Sequence, residues 1–484
     1  MNSTENLKLT KEIKKNKEII KQRLPIEKSF DVIGRELLFG NIEAYLIFID
    51  GFAKDTIMLF ILEELQPLRL EEISKKKIEF LLKQKIGYIE VGTFKELKQM
   101  ETAVLSGAVA LVIDGVDEGI IIDAREYPVR GSSEPDLEKV TRGSRDGLVE
   151  TIIFNTALIR RRLRDPNLIF EIKNVGKRSQ TDVVIAYIKD LADDNLIKEI
   201  EDKINNIDVD ALIMAEKTLE ELIIKKHWYN PLPQARFTER PDVVAAHLLE
   251  GHIAIIVDTS PSVMLLPVTL FHFTQHAEDY YQNVAVGTFI RWVRFLGMFT
   301  AFMIIPLWLL IVNNKQYMPE FLHFVGPKEP GSIPLFLQFI ILELSLELLR
   351  ISSIHTPNAL TTSLGIIGGL MLSEMAISVG YFIPETVLYI AITGIGTFAT
   401  PSLEFAMAIR IFNLFLLILT GIFNIMGFVV GLIIIIIIVY TTQPFKHCNK
   451  YTWPLIPFEG KALLNILFRK PIPEMKMKNK KQDF

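Results

Sequence analysis

Along this chain the hydrophobic pattern changes character once, near residue 287. Before that point apolar residues come in short runs bounded by Gly and Asp: Ala44 to Ile49 (AYLIFI), Ala108 to Ile113 (AVALVI) and Gly119 to Ile122 (GIII). Runs of this length suit buried strands. Between them, Lys54 to Leu65 and Ser74 to Lys83 carry helical spacing, so residues 29–125 alternate strand and helix as an α/β lobe does. Glu126 to Asp146 (EYPVRGSSEPDLEKVTRGSRD) is dense in Gly, Pro, Ser and charge and reads as a junction between lobes. A second α/β lobe follows over 147–287, with helices at Thr151 to Leu163 and Asp190 to Ile204 and strands at Val183 to Ile188 (VVIAYI) and Ile253 to Val257 (IAIIV). Residues 1–28 form a charged N-terminal arm.

Residues 288–440 follow a different rule, because long apolar stretches replace the short runs. Phe295 to Val312 is free of charge and about 27 Å long as a helix, close to the hydrocarbon thickness of a bilayer. Further stretches at 334–350 and 359–383 are long enough to cross, although the first contains Glu343 and Glu347 and the second Glu374. Residues 411–440 carry no charge at all and can cross once with steep tilt or break near Asn424 and Gly427. The short segment 387–400 is interrupted by Gly394 and Gly396 and followed by Pro401, which reads as a re-entrant or broken element. The expected architecture is therefore a two-lobed α/β region followed by a polytopic α-helical transmembrane bundle. Four spans plus the re-entrant segment fit; six require splitting the last run and promoting 387–400 to a span.

Composition sharpens this division. Charged residues make up 23% of the chain and mean hydropathy is +0.29, high for a soluble enzyme. The charge is concentrated in the N-terminal lobes, and this asymmetry matters more than the net charge of -4. Arg291 and Arg294 precede the first span, and residues 441–484 hold nine Lys or Arg against three acids, a basic tail. The positive-inside rule then puts both flanks, and the lobes with them, on the cytosolic side, which requires an even number of crossings. The first residues are too polar for a signal peptide. A single cysteine, Cys448, excludes an intramolecular disulfide, a CxxC redox pair and a zinc cluster of cysteines.

Ionisable residues inside apolar spans are the first candidates for function, since each costs roughly 2.5 to 3.5 kcal/mol at a helix centre and therefore faces protein or water. Glu343, Glu347 and Arg350 share one helical face by spacing; Glu347 and Arg350 can pair, and the stripe either lines a cation path or fixes helix packing. Glu374 has no charged neighbour within its own span. Arg410, at the edge of the last apolar run, suits snorkelling to a headgroup. Gly365 and Gly369 form a GxxxG pair that permits close helix approach and subunit contact. Gly394, Gly396 and Pro401 suit either a constriction or gate, or an ordinary interhelical turn.

In the lobes, Arg142, Arg145, Arg160, Arg161, Arg162 and Arg164 cluster around one helix, with Glu134, Asp136, Glu138, Asp146 and Asp165 close enough in sequence to pair with them across a lobe or subunit interface. That reading is preferred to nucleic-acid binding. His272 and His276 have the spacing of a helical metal pair, but Phe273 stands where a zinc hydrolase needs Glu, so a structural role is expected and no metal. Neither GxxxxGK[ST] nor GxSxG occurs, which weighs against an ATPase or hydrolase; no enzyme activity and no cofactor are expected.

Several longer segments resemble one family. Glu134 to Asn167 (EPDLEKVTRGSRDGLVETIIFNTALIRRRLRDPN), Arg178 to Tyr187 (RSQTDVVIAY) and Thr238 to Thr269 (TERPDVVAAHLLEGHIAIIVDTSPSVMLLPVT) are similar to the signature blocks of the spore germination GerA family, A subunit. Ser29 to Arg35 (SFDVIGR), Phe271 to Tyr281 (FHFTQHAEDYY), Ile354 to Leu360 (IHTPNAL), Ile395 to Ser402 (IGTFATPS) and Pro457 to Pro473 (PFEGKALLNILFRKPIP) resemble one branch of it. The resemblance implies a protein of the inner membrane of dormant spores that takes part in germination. It implies homo-oligomers, in the family's picture pentamers, around a pore that releases monovalent cations. For this branch it implies a small membrane partner protein and amplification of the response of germinant receptor complexes.

Overall fold

The computed structural model describes residues 7–66, 86, 90–127, 138–225, 227–317, 325–328, 331–355, 377–443, 445–447 and 450–471. After an arm helix, α1 (Ile13–Arg23), the first lobe opens on a hairpin of β1 (Val32–Phe39) and β2 (Ile42–Ile49). Its two-residue Gly40-Asn41 connection places Gly40 at φ 59°, a conformation that glycine adopts without the penalty of a Cβ. Next come α2 (Asp55–Leu65), β3 (Val91–Phe94), α3 (Leu97–Leu105), β4 (Val109–Ile113) and β5 (Gly119–Ile122). The second lobe contains α4 (Ile152–Arg162), β6 (Leu168–Val175), β7 (Thr181–Ile188), α5 (Asp194–Asn205), α6 (Ala215–Ile223), β8 (Arg236–Thr238), α7 (Pro241–Leu249), β9 (Ile253–Val257) and β10 (Val263–Leu266). The helix expected at Ser74 to Lys83 lies outside the described residues.

Each lobe is one five-stranded sheet, ordered β1-β2-β4-β5-β3 in the first and β6-β7-β9-β10-β8 in the second. Counted within its lobe, each sheet has the same order, first, second, fourth, fifth, third, and every pairing is antiparallel. The lobes are thus two copies of one topological unit. Helices cover both faces of each sheet: one core of lobe two gathers Leu196, Ile200 and Leu219 below the sheet, the other Ile159, Val244 and Leu248 above it. That double coverage is why β4 and β9 are buried along their whole length and read as unbroken apolar runs instead of alternating ones.

The lobes are riveted by a buried ion pair. Arg160, at the end of α4, donates to Asp31 at 2.8 and 3.1 Å, and its remaining N–H groups reach the carbonyls of Asp165 and Leu168. Both charged side chains are sealed from solvent, and Phe170 N–H donates to Ser29 Oγ beside them at 2.9 Å.

A 3-10 turn (Leu270–Thr274) and the one-turn helix α8 (Glu278–Tyr281) lead into the bundle: α9 (Val284–Asn313), α10 (Leu335–His355), α11 (Pro384–Phe398), α12 (Leu403–Thr441) and a final short helix, α13 (Gly460–Leu467). Two of these, α9 with 30 residues and α12 with 39, are long and apolar enough to cross a membrane. The third expected stretch, 359–383, falls almost wholly outside the described residues, and with it Gly365, Gly369 and Glu374.

Helix α12 is not one rod. Asn424 sits at φ 54°, ψ −131°, and a Cβ on Gly427 would stand 1.9 Å from the Leu419 carbonyl oxygen. Eight residues apart on a straight helix, those positions would be about 12 Å away from each other. The chain therefore folds back at Asn424 into two arms, 403–423 and 425–441. Asn424 and Asn314, at the end of α9, exchange two amide hydrogen bonds of 2.6 and 3.0 Å. Both arms return to lobe two: Glu404 lies 4.0 Å from Lys217, and Asn230 donates to Thr442 at 2.9 Å. Of the two options the sequence leaves for 411–440, the break is the one adopted.

The segment 387–400 also departs from expectation. Its residues up to Phe398 belong to a continuous 15-residue helix without a break at the glycines, running from Ile383, whose N–H meets Gln338 at 3.1 Å, to the turn where Gly396 lies against Gly297. The glycines serve packing: a Cβ on Gly396 would be 2.3 Å from the Gly297 carbonyl oxygen. The chain turns at Ala399 to Ser402, around Pro401, directly into α12.

Candidate functional site

Polar chemistry within the bundle concentrates between α10 and the first arm of α12. The spacing of Glu343, Glu347 and Arg350 puts them on one side of α10, and Arg410 approaches from α12. Arg410 donates to Glu347 at 2.5 Å and to Glu343 at 3.3 Å, while Arg350 donates to Glu347 through Nε at 3.0 Å and also through Nη2. Arg410 therefore does not snorkel outward as its position at the edge of an apolar run suggested; it is 9% exposed and ties two helices together. Among the described residues two carboxylates and two guanidiniums balance. One atom is left over: Glu343 Oε1 is buried with no hydrogen-bond partner among the described residues. The cluster is sealed on one flank only, since about a quarter of the Glu347 and Arg350 side chains is exposed, between Leu344 and Leu348, which are exposed by more than half.

A second constellation couples lobe two to the bundle. Asp279, on α8 and wholly buried, accepts from Arg294 at 2.8 Å on each oxygen and from Arg291 at 3.2 Å. Arg291 also reaches the carbonyls of Asn465 and Ile466 at the end of α13, and Arg469 caps the carbonyls of Tyr280 and Gln282. Residues after 441 thus do more than form a basic tail. Phe445 enters the core of lobe two, Tyr451 lies in the core shared with Phe405 and Ile409 of α12, and the Tyr451 hydroxyl donates to the Pro233 carbonyl at 2.9 Å. The lobe, the bundle and the C-terminal segment share one continuous apolar core.

Next to this joint lies a histidine cluster that sequence spacing split apart. His247, His252 and His272 have ring centroids 5.0–5.8 Å from one another. His247 donates from Nδ1 to the Val243 carbonyl and accepts on Nε2 from Arg236 at 3.4 Å, and His272 accepts on Nδ1 from Thr269 N–H. Burial holds all three below the usual imidazole range, His252 at about 4, and neighbouring Arg236 pushes the same way. His276 stands apart from the trio, accepting from Glu278 N–H. Among the described residues no three His, Cys, Asp or Glu side chains are arranged so that they could hold a metal ion.

The arginine cluster is shared out between contacts. Arg160 takes Asp31, Arg161 stacks over Tyr127 at 4.3 Å, Arg162 pairs with Asp146 at 2.9 Å, and Arg164 reaches Ser106 in lobe one. Arg142 and Arg145 are exposed. Of the acids expected nearby, Glu134 and Asp136 lie outside the described residues, and Glu138 pairs instead with Arg236 at 3.2 Å. Asp31, the partner that matters most, is more than a hundred residues away in sequence, so no local reading could find it.

Comparison with known proteins gives consistent results. The family profile described as Bacillus/Clostridium GerA spore germination protein matches residues 18–481. Stage V sporulation protein AF of Bacillus subtilis (strain 168) is 42% identical over 474 residues, 98% of this chain and 96% of that protein. Spore germination protein GerLA of Bacillus cereus is 32% identical over 375 residues, 77% of this chain and 75% of that protein. Among solved structures, the N-terminal domain of the A subunit of the Bacillus megaterium germinant receptor GerK3 matches at 26% identity with a TM-score of 0.41, covering 54% of this chain and 96% of that one.

Proposed function

Because this chain belongs to the Bacillus/Clostridium GerA family of spore germination proteins, we propose that it serves germination as an oligomeric, non-enzymatic membrane subunit that conducts monovalent cations. In this reading α9 to α12 cross the inner membrane of the spore, and the lobes and C-terminal segment lie on the core side. Copies of the chain surround the pathway, and partner proteins, including germinant receptor complexes, bias its opening through the lobes. A partner moves such an equilibrium only by binding one conformer more tightly than the other.

The observation that carries the proposal is the half-covered charge cluster. Glu347 and Arg350 are each about a quarter exposed on the flank of the bundle, and Glu343 keeps a carboxylate oxygen without a partner among the described residues. Lipid is a costly neighbour for such groups, at roughly 2.5 to 3.5 kcal/mol each near a helix centre, so that flank calls for water or protein cover. Acidic groups facing water at membrane depth favour cations. The second reading, a scaffold that organises receptor complexes without conducting, draws on a different aspect of the same cluster: it sums to zero charge and clamps α10 to α12.

Flux separates the two. The full chain, purified and reconstituted into potassium-loaded liposomes, should release potassium, and E343Q and E347Q should change the rate or the potassium-to-sodium ratio. Liposomes that stay tight with folded wild-type protein would leave the scaffold as the function. Unaltered conductance and selectivity in both variants would remove the cluster from the pathway.

A further inference from the structure

One turn of lobe two carries side chains that a water-facing surface does not explain. Trp228 is 98% exposed and its neighbour Tyr229 50% exposed, their rings edge to face at 6.0 Å. Neither ring belongs to a hydrophobic core of the described residues. Ile213 and Met214, at the start of α6, are exposed by 88% and 66%.

The position of this turn supplies the explanation. Asn230 closes the turn by accepting from Leu232 N–H at 3.1 Å and donates to Thr442 at the last residues of α12. Leu232 packs into the shared core with Phe405 and Ile435, one from each arm of α12. Lys217, three residues beyond Met214, approaches Glu404 at the first turn of α12. The turn and the α6 start therefore stand level with the near ends of the apolar arms. At that level the outer surface of α12 is still exposed and apolar at Ile436, Ile437 and Tyr440. Lys450 lies 5.0 Å over the Tyr440 ring, and Lys225, two residues before the turn, is exposed.

A second aromatic group marks the same level elsewhere on the bundle. Trp292, near the lobe end of α9, donates to the Leu467 carbonyl at 3.0 Å and meets Phe468 edge to face, and both rings are about half exposed. Aromatic rings with one polar atom, backed by lysines and set where apolar helices end, match the headgroup layer of a bilayer: the ring body enters the acyl boundary while the N–H, O–H and ammonium groups stay hydrated.

We propose that the His227–Asn230 turn is a lipid anchor: Trp228 and Tyr229 insert among phospholipid headgroups and hold lobe two against the membrane beside α12. The proposal rests on the membrane reading of the bundle and adds a lipid-binding role for the soluble region. It commits to lipid over a second copy of the chain because the patch stands level with the exposed apolar outer surface of α12, where Lys450 lies over Tyr440.

Spin-label accessibility tests it in the full chain reconstituted into phospholipid vesicles. The single native cysteine allows W228C in a C448S background, with D117C on the exposed β4–β5 turn of lobe one as the aqueous reference. A label at 228 should collide preferentially with oxygen, and one at 117 with a water-soluble nickel chelate, the ratio differing several-fold. Nickel access at 228 equal to that at 117, in protein that resists carbonate extraction, would overturn the anchor while leaving the membrane assignment intact. Protein washed off by carbonate would defeat both. Dipolar broadening at 228 that disappears on dilution with unlabelled chain would assign the patch to a second copy and likewise overturn the proposal.

Discussion

Removing Arg410 tests how the bundle holds its charges. In R410M both Glu343 and Glu347 lose a cation that reaches them at 3.3 and 2.5 Å from a position 9% exposed, and Glu347 retains Arg350 while Glu343 retains no cation among the described residues. Breaking a buried pair by deleting one partner leaves the other charge uncompensated, which costs about 3–5 kcal/mol. In E343Q the deletion is milder. One oxygen of Glu343 is already unpartnered and Arg410 keeps Glu347, so the loss should be about 1–2 kcal/mol. The double variant E343Q/R410M leaves Glu347 with Arg350, a neutral pair, and should be more stable than R410M alone, giving a coupling on the order of 1–3 kcal/mol. Thermal unfolding of detergent-purified protein, followed by the surviving monodisperse fraction, ranks the three. The reasoning fails if R410M is no worse than E343Q, or if the two losses simply add.

Two further outcomes follow from the geometry. G396A drives a methyl into the Gly297 backbone of α9 and should cost about 1–3 kcal/mol by overpacking, whereas G394A meets, among the described residues, Leu346 at an ordinary 3.4 Å and should be near neutral; equal melting behaviour of the two would contradict the close-packing role of Gly396. The histidine cluster should make lobe two acid-sensitive. Its rings are neutral in the fold but titrate near 6.5 when unfolded, so the unfolded chain binds more protons as pH falls; stability is full above about 6.5 and declines towards 4, with His252 alone contributing about 3 kcal/mol at the lower end. Hydrogen exchange of β9 and α7 between pH 7 and pH 4.5 measures this, and protection that is flat across that window would refute it.

Much of the fold was legible in the chain because burial on both faces leaves an unmistakable trace. β4 and β9 are apolar at every position, and α9 and α12 are apolar for whole turns on end, so their existence follows from composition alone. The edge strands left no comparable trace: β1 carries exposed Arg35 and Glu36 at its middle, and β8 is only three residues long. The repeated topology of the lobes is likewise silent, since strand order is set by pairing and the two copies fill the same order with different side chains. In the candidate site, the i, i+4 and i+7 spacing of Glu343, Glu347 and Arg350 announced a common face because a helix converts spacing directly into position.

What the sequence determined, then, was the division into lobes and bundle, the polar stripe on α10 and the family. Only the tertiary structure decided that Arg410 turns inward, that α12 reverses at Asn424, that Asp31 neutralises Arg160, and that three histidines meet beside Arg236. The physical reason is common to all four. Local spacing fixes which way a side chain leaves its own element, whereas the identity of its partner depends on which distant segment the packing brings alongside, and that is a property of the whole chain's burial.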